Sequence, residues 1–275
     1  MKKLKKISPL RILFYLILIS YAAITIGPFL WSFIVSLKPS SEVNKPGIDF
    51  SALSFKNYKF ILTNFPFARW MFNSIVVGLI CTIGNLIFNS MAGYALARIN
   101  FPGKKALFLA ILGMMMIPGQ VLMVPMYMLL SKLGWINTYK GLTIPFLISM
   151  FGIFLMRQFF LSIPKSLEEA AAIDGLGRFG TFFRIILPMA TTALTTQFIL
   201  MFTGSWNAFL WPSLLTASQS MYTLPVGLNS FYGQHYSLWD QVLAGAMLLS
   251  VPMILVFLIF QKNFIKGIAT TGSKE

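Results

Sequence analysis

Six separate runs of about twenty mainly apolar residues leave this chain few ways to fold. A helix rising 1.5 Å per residue needs about 20 residues to cross the hydrocarbon core of a bilayer. Lipid offers no partner for an open backbone, so each crossing segment must satisfy its own N–H and C=O groups as a helix. The runs are Ile12–Leu37, Trp70–Leu96, Ala106–Leu130, Gly141–Leu161, Ala190–Leu210 and Val242–Phe260. Only 11% of the residues are charged, against roughly 25% in a soluble domain, so water is not the solvent for most of this surface. The expected fold is all-α, a polytopic membrane protein with about six transmembrane helices. Pro28, Pro118, Pro125, Pro145 and Pro252 fall inside the runs. In lipid they are expected to kink helices, because neighbouring helices take up the freed carbonyls.

Orientation follows from the basic residues that flank the runs. With the N-terminus inside, the cytoplasmic segments carry fifteen Lys and Arg and the outer segments seven. Both termini are therefore expected in the cytoplasm, in a bacterial inner membrane. The first run follows Lys2, Lys3, Lys5 and Lys6, as a secretory leader would. Its apolar stretch outruns the length of a leader and has no small-x-small cleavage site before Pro28, so it is expected to remain as an anchor. The expected organisation is an anchor helix with a first outer loop over 1–69, and a transmembrane core over 70–262. That core carries a cytoplasmic loop at 162–188, and 263–275 form a cytoplasmic tail.

The net charge of +15 raises nucleic acid as a partner. The basic residues are scattered through short flanks of apolar runs and form no face of a folded domain, which argues against it. Cys81 is the single cysteine, which removes intrachain disulfides and cysteine metal sites; inside an apolar run it reads as a packing residue. The lone His235 lies in an outer loop, and no metal-binding cluster is apparent. Gly103-Lys104 lacks the earlier glycine of a phosphate loop. No Asp, Glu or Lys lies in the span cores. Autonomous proton-driven carriers keep such groups at mid-membrane, so energy is expected from elsewhere.

One cytoplasmic stretch has chemistry that the membrane does not explain: Ser162-Ile163-Pro164-Lys165-Ser166-Leu167-Glu168-Glu169-Ala170-Ala171-Ala172-Ile173-Asp174-Gly175. Ser166 followed by Glu169 is a capping box, which predicts a helix start. Ala170 to Ala172 favour helix and give a thin face that another backbone can approach, and Gly175 is a left-handed stop. A second helical run, Arg178 to Leu187, is expected to end at Pro188. The pair makes a compact knob, read either as a docking element or as an amphipathic loop lying on headgroups.

The spacing Glu169-Ala170-Ala171, three residues, Gly175, nine residues, Ile185-x-Leu187-Pro188 resembles the EAA motif of ABC importer permeases. The surroundings resemble the smaller permease of carbohydrate importers of the maltose and multiple-sugar type over nearly the whole chain. They include Ser36-Leu37-Lys38-Pro39, Asn73-Ser74, Gly93-Tyr94-Ala95-Leu96-Ala97-Arg98, Trp206-Asn207, Leu224-Pro225-Val226-Gly227-Leu228 and Gln261-Lys262-x-Phe264-Ile265-x-Gly267. The tail departs from the family's usual Gly-Ala-Val-Lys-Gly, reading Thr271-Gly272-Ser273-Lys274-Glu275. The resemblance implies the type I ABC importer transmembrane fold and a non-catalytic subunit without a cofactor, ATP and Mg being bound by a partner. It implies a second homologous permease, two ATPase subunits or domains and an extracytoplasmic sugar-binding protein as partners, with membrane lipid around them. It also implies that Glu168, Glu169, Ala170, Ala171, Asp174 and Gly175 contact the ATPase as a coupling helix.

A path for the transported molecule has two readings. Ser74, Gly78, Thr82, Asn85, Asn89 and Gly93 recur at helical spacing in the second span, either as helix–helix packing through small residues and amides or as a path whose amides meet sugar hydroxyls. In the fifth span, Gln197, Thr203, Trp206 and Asn207 share a face. A ring beside an amide suits a sugar, while Trp206 and Trp211 also fit an interfacial belt. The Met-rich third run, with Pro118 and Pro125, reads as core filler or as a pliable element. The outer segment Trp211–Asp240 carries Tyr222, Asn229, Tyr232, Gln234 and Tyr236, and by resemblance faces the binding protein. An oligosaccharide of the raffinose or maltodextrin class is the first expectation for the substrate, with glycerol-3-phosphate and monosaccharides as alternatives. The rival classes are a proton-coupled sugar carrier acting alone and a membrane scaffold or insertase.

Overall fold

Every long apolar run becomes helix, and among the described residues there is no β-strand. The computed structural model describes residues 9–231 and 238–272, with backbone alone for 262–272. His235, Tyr232, Gln234 and Tyr236 lie outside the described residues, as do the side chains of Lys262, Phe264 and Ile265. The chain divides into two compact units, Met1–Phe65 with Leu228–Ser250 and Pro66–Gly227 with Val251–Glu275.

In the first unit, α1 (Pro9–Leu37) carries Pro28 without interruption and buries only Val35, Ser36 and Leu37. Its remaining length is an apolar cylinder that needs lipid around it. The end of α1 is pinned by side chains. Ser36 Oγ lies 2.7 Å from the Tyr58 hydroxyl on α2 (Lys56–Asn64). Asn57 Nδ2 donates to the carbonyls of Ser36 (2.8 Å) and Lys38 (2.9 Å). The buried Lys38 ammonium donates to the carbonyls of Gly47 (2.6 Å) and Lys45 (3.3 Å). A buried cation without a carboxylate is tolerable only when carbonyl dipoles replace its water, and this loop supplies them.

The second unit is built on α3 (Phe67–Arg98). Its small residues let neighbours approach closely: a Cβ on Gly93 would stand 2.8 Å from Met156 Cβ and 2.9 Å from the Arg157 nitrogen. Both residues lie on α7 (Met150–Ser162). Between them come α4 (Lys104–Met115), a 3-10 turn at Gly119–Leu122, α5 (Met123–Lys132) and the short α6 (Tyr139–Thr143). Next follow α8 (Ser166–Ile173), α9 (Arg178–Met189) and α10 (Thr191–Trp206), and then α11 (Leu210–Leu215) and α12 (Leu224–Asn229). The last helix, α13 (Trp239–Gly272), belongs to the first unit up to Ser250 and to the second from Val251, and passes through Pro252.

The third run is not one kinked helix. α4 and the segment Gly119–Lys132 meet at 94°, far beyond a proline kink, because Pro118 is extended (φ −60°, ψ 128°) and its predecessor is pushed out of the helical region. Pro125, by contrast, sits within the first turn of α5, where a missing N–H costs nothing. The fifth run is preceded by α9 at 76°. Four helical stretches are long and apolar enough to span by themselves, and six if each bent pair is one span.

Candidate functional site

The knob at residues 166–190 differs in detail from its expected form. α8 starts on Lys165 as the capping residue with no side-chain cap, and Ser166 is already helical. The amides of Glu168 (2.9 Å) and Glu169 (3.1 Å) both reach the Lys165 carbonyl. The capping box therefore does not form; Pro164 ahead of it sets the first turn, with the Leu167 amide on the Pro164 carbonyl at 3.4 Å. The C-terminus follows expectation. Gly175 has φ +81°, its amide donates to Ala172 O (3.1 Å), and the Leu176 amide donates to Ala171 O (2.9 Å). This is the Schellman pair of bonds, which satisfies the orphan carbonyls of the last turn.

The second run does not stop at Pro188. α9 continues through Met189, with a π-helical turn over Phe182–Ile186. Pro188 has no N–H for the Arg184 carbonyl, and its ring crowds that carbonyl, which the wider turn relieves.

The expected three-alanine face is also corrected. Ala171 is buried, while Ala170 and Ala172 are exposed. Successive residues turn by about 100° on a helix, so three in a row cannot share one face. Glu169, Asp174 and Gly175 are exposed. Ile173 and Phe179 carry the apolar tip, 87% and 75% exposed.

Glu168 points inward. Its Oε1 lies 2.7 Å from Arg98 Nε, with side-chain exposures of 21% and 6%. The contact is one of charge, since neither atom has a hydrogen-bond geometry with any partner. Glu168 Oε2 accepts from the Tyr94 hydroxyl at 3.4 Å, and Arg98 Nη2 donates to the Ile163 carbonyl. Tyr94 and Arg98 are one turn apart on α3, so the end of this span grips the root of the knob. Behind them Tyr94, Met156, Phe160, Ile163, Phe182 and Ile186 form a buried cluster. The sequence places Arg98 as a flanking charge and as the end of the Gly93–Arg98 resemblance segment, but not as the partner of Glu168; the one-turn Tyr94–Arg98 spacing is the signal for it.

The path candidates divide. Asn85 Nδ2 donates to the carbonyls of Cys81 (2.8 Å) and Phe146 (2.7 Å), and Asn85 Oδ1 accepts from Asn89 Nδ2 at 2.9 Å. Asn89 Oδ1 accepts the Ser149 amide at 3.1 Å, and Gln197 Nε2 donates to Asn85 O at 3.1 Å. Asn85, Asn89 and Gln197 are thus one buried node that ties α3, α7 and α10 together. Gly152 makes room for it: a Cβ there would stand 2.0 Å from Asn89 Nδ2. Sequence reasoning missed Gly152, whose need is visible only when the helices meet. Asn85 also borders a cavity of about 350 Å³, with Cys81, Phe146, Ser149, Ser205 and Trp211 among its lining. Trp206 is buried and stacks on Phe202 at 5.7 Å, and Asn207 is exposed at the end of α10.

At the opposite end of α3, the resemblance residues Asn73 and Ser74 clamp the segment after α11. Asn73 Nδ2 donates to the carbonyls of Ser220 (2.9 Å) and Tyr222 (2.8 Å), and Ser74 Oγ accepts the Leu224 amide at 2.7 Å. A Cβ on Gly227 would stand 2.2 Å from the Trp70 ring, which explains a glycine in the Leu-Pro-Val-Gly-Leu motif.

Long apolar helices, two of the stretches sharply bent, with an exposed helical knob, define an integral membrane protein. A family model described as a binding-protein-dependent transport system inner membrane component matches residues 89–270. The chain is 40% identical over 244 residues to the arabinooligosaccharides transport system permease protein AraQ of Bacillus subtilis strain 168, covering 87% of each. It is 35% identical over 251 residues to the trehalose transport system permease protein SugB of Mycobacterium tuberculosis, covering 90% of this chain and 92% of that one. A solved bacterial ABC transporter involved in importing the acidic polysaccharide alginate superposes with a TM-score of 0.82 at 25% identity, over 93% of this chain and 96% of that one. The chain belongs to the family of binding-protein-dependent transport inner membrane components, and its fold is that of an ABC importer permease.

Proposed function

We propose that the chain is the permease subunit of an ATP-driven sugar importer, forming half of a translocation path with a second, related permease. The observation that carries the reading is the knob: a short helix closed by a left-handed glycine, with Ala170, Ala172, Ile173 and Asp174 outward and its root held to α3 by Arg98 and Glu168. An exposed apolar tip beside carboxylates suits a cleft on a separate ATPase that carries basic groups. Glu169, Ala170, Asp174 and Gly175 are the contact residues, with Glu168 and Ala171 setting the knob's orientation from behind. Closure of the ATPase moves the knob, and α3 carries the motion into the spans, in the manner of rigid-body switching.

Oligosaccharide is the substrate class the relatives' names favour, arabinooligosaccharides for AraQ and trehalose for SugB. The cavity of about 350 Å³ beside Asn85, Ser149, Ser205 and Trp211 is within the size range of small-ligand sites and pairs amide and hydroxyl groups with a ring. Asn89, Gln197 and Trp206 position its walls, and Asn207 lies beyond it at the end of α10. The basic flanks at 98–105, 157–184 and beyond Gln261 support a cytoplasmic knob and cytoplasmic termini.

Uptake of a labelled oligosaccharide into proteoliposomes containing this chain, its partner permease, the ATPase and the binding protein tests the reading. ATP-dependent uptake that disappears in Gly175→Arg, with insertion intact, is expected. Uptake by the isolated chain under a pH gradient, or of glycerol-3-phosphate alone, would refute it.

A further inference from the structure

We propose that the cleft between the start of α4 and the middle of α7 binds the phosphate of an anionic phospholipid. Two adjoining cavities of about 510 and 420 Å³ share Asn100, Lys104 and Lys105. The first also takes in Gly103 and Ala106, and the second Phe108, Leu109 and Arg157. Neither wall contains a carboxylate.

The cations have a competing task, since they finish the end of α3. Lys104 Nζ donates to Ile99 O (2.9 Å) and Ala97 O (3.4 Å), and Arg157 Nε donates to Leu96 O (3.3 Å). That task occupies two of the three ammonium protons and one of the five on the guanidinium, and none of Lys105. The Arg157 guanidinium carbon lies 3.8 Å from the Phe108 ring centroid, a cation–π contact that holds it against the ring and leaves its remaining N–H groups free to donate. Lys165 adds a further like charge within reach of Lys104. Nearby Arg98 is neutralised by Glu168; these four cations have no such partner among the described residues. Gly103 starts α4 in the left-handed region (φ 80°), and no side chain caps the helix, which leaves its positive end on the cavity wall.

The ligand chemistry follows from the two ends of the cleft. Cations and an uncapped helix start call for a phosphate oxygen set. Phe108 and Leu109 continue from it along α4, Leu109 being largely exposed, and they suit an acyl chain. Basic pockets between spans at a membrane face are where anionic headgroups bind. Soluble phosphate would meet the charges and leave the apolar continuation without purpose.

Native mass spectrometry of the full-length chain, delipidated in detergent and titrated with dioleoylphosphatidylglycerol, tests this. Dioleoylphosphatidylcholine and inorganic phosphate serve as comparison ligands. Preferential retention of the phosphatidylglycerol is expected, and Lys105→Gln and Arg157→Gln should each weaken it about fivefold, the factor for one basic residue near an anionic surface. Lys105 is exposed and off the α3 carbonyls, so its variant folds whatever Arg157→Gln does. Phe108→Ala should weaken lipid but not phosphate. Equal retention of phosphatidylcholine, unchanged affinity in Lys105→Gln, or displacement of the lipid by millimolar inorganic phosphate would each overturn the proposal.

Discussion

Substituting Glu168 by Gln should loosen the knob from α3 without unfolding the spans. The variant keeps the side-chain shape and its reach to Tyr94, and removes only the charge facing Arg98. Removing one member of a fully buried ion pair costs about 3–5 kcal/mol, and an exposed pair is worth less than about 1 kcal/mol. Arg98 is 6% exposed and Glu168 21%, and Arg98 retains the Ile163 carbonyl. An intermediate cost of about 2 kcal/mol follows. Because the damage is local, it is read by hydrogen exchange of the peptide covering residues 163–180, where about 2 kcal/mol corresponds to a roughly thirtyfold loss of protection. The double variant Arg98→Met with Glu168→Met removes both charges and should recover most of that loss. In transport assays the single variant should retain hydrolysis by the ATPase and lose uptake. Unchanged protection in Glu168→Gln, or a double variant worse than the sum of the singles, would show that the pair does not hold the knob.

Substitutions at three glycines test close approaches and backbone conformation. Gly152→Ala should lower the thermal midpoint of the detergent-solubilised chain, since its Cβ would lie 2.0 Å from Asn89 Nδ2 and 2.9 Å from Gln197 Nε2; displacing amides from a buried node costs about 1–3 kcal/mol. Gly227→Ala meets the Trp70 ring at 2.2 Å and should cost about 1–3 kcal/mol as overpacking, seen as a lower midpoint and altered tryptophan emission. Gly175→Ala meets nothing within 4 Å, so it should cost only the left-handed backbone term of about 1 kcal/mol. Gly175→Arg should add little to that in the isolated chain, so any larger effect on uptake belongs to the partner surface. A Gly175→Arg midpoint well below that of Gly175→Ala would contradict this.

What was readable in the residues was what depends on one dimension or on chirality. Apolar length located α1, α3 and the start of α13 to within a few residues, because lipid thickness is a length; α13 runs on to Gly272, well past the apolar stretch. Gly175 was readable because an L side chain at φ +81° is strained wherever it occurs. Azimuth was not readable. Glu168 and Ala171 look like their neighbours in a helical alphabet, and only the tertiary fold decides that these two turn inward and Glu169, Ala170 and Ala172 outward. Breaks were half readable: Pro118 and Pro125 stand in the same run, yet only Pro118 ends a helix, because Pro125 falls where no hydrogen bond is lost.

The small and amide residues of α3 explain why a packing reading and a path reading of one sequence pattern were both open. In lipid, helices gain nothing from burying more carbon, so glycines that permit approach and amides that bond across the gap hold spans together. A sugar path needs the same amides with unspent donors facing a cavity. In this chain Asn89 donates to Asn85 and accepts from Ser149, and Asn85 has its amide protons on Cys81 and Phe146 while still bordering the cavity. Asn85 Oδ1 accepts only from Asn89 and keeps a lone pair for a hydroxyl proton, but for its amide to donate to a hydroxyl it must release the Cys81 or the Phe146 carbonyl, and the latter belongs to the proline-containing 3-10 turn Ile144–Phe146. A path in which the Asn85 amide donates by giving up the Phe146 carbonyl requires that turn to move against α3. Asn85→Ala should change uptake and Asn89→Ala should change stability. If Asn85→Ala transports normally and melts earlier, both amides serve packing alone.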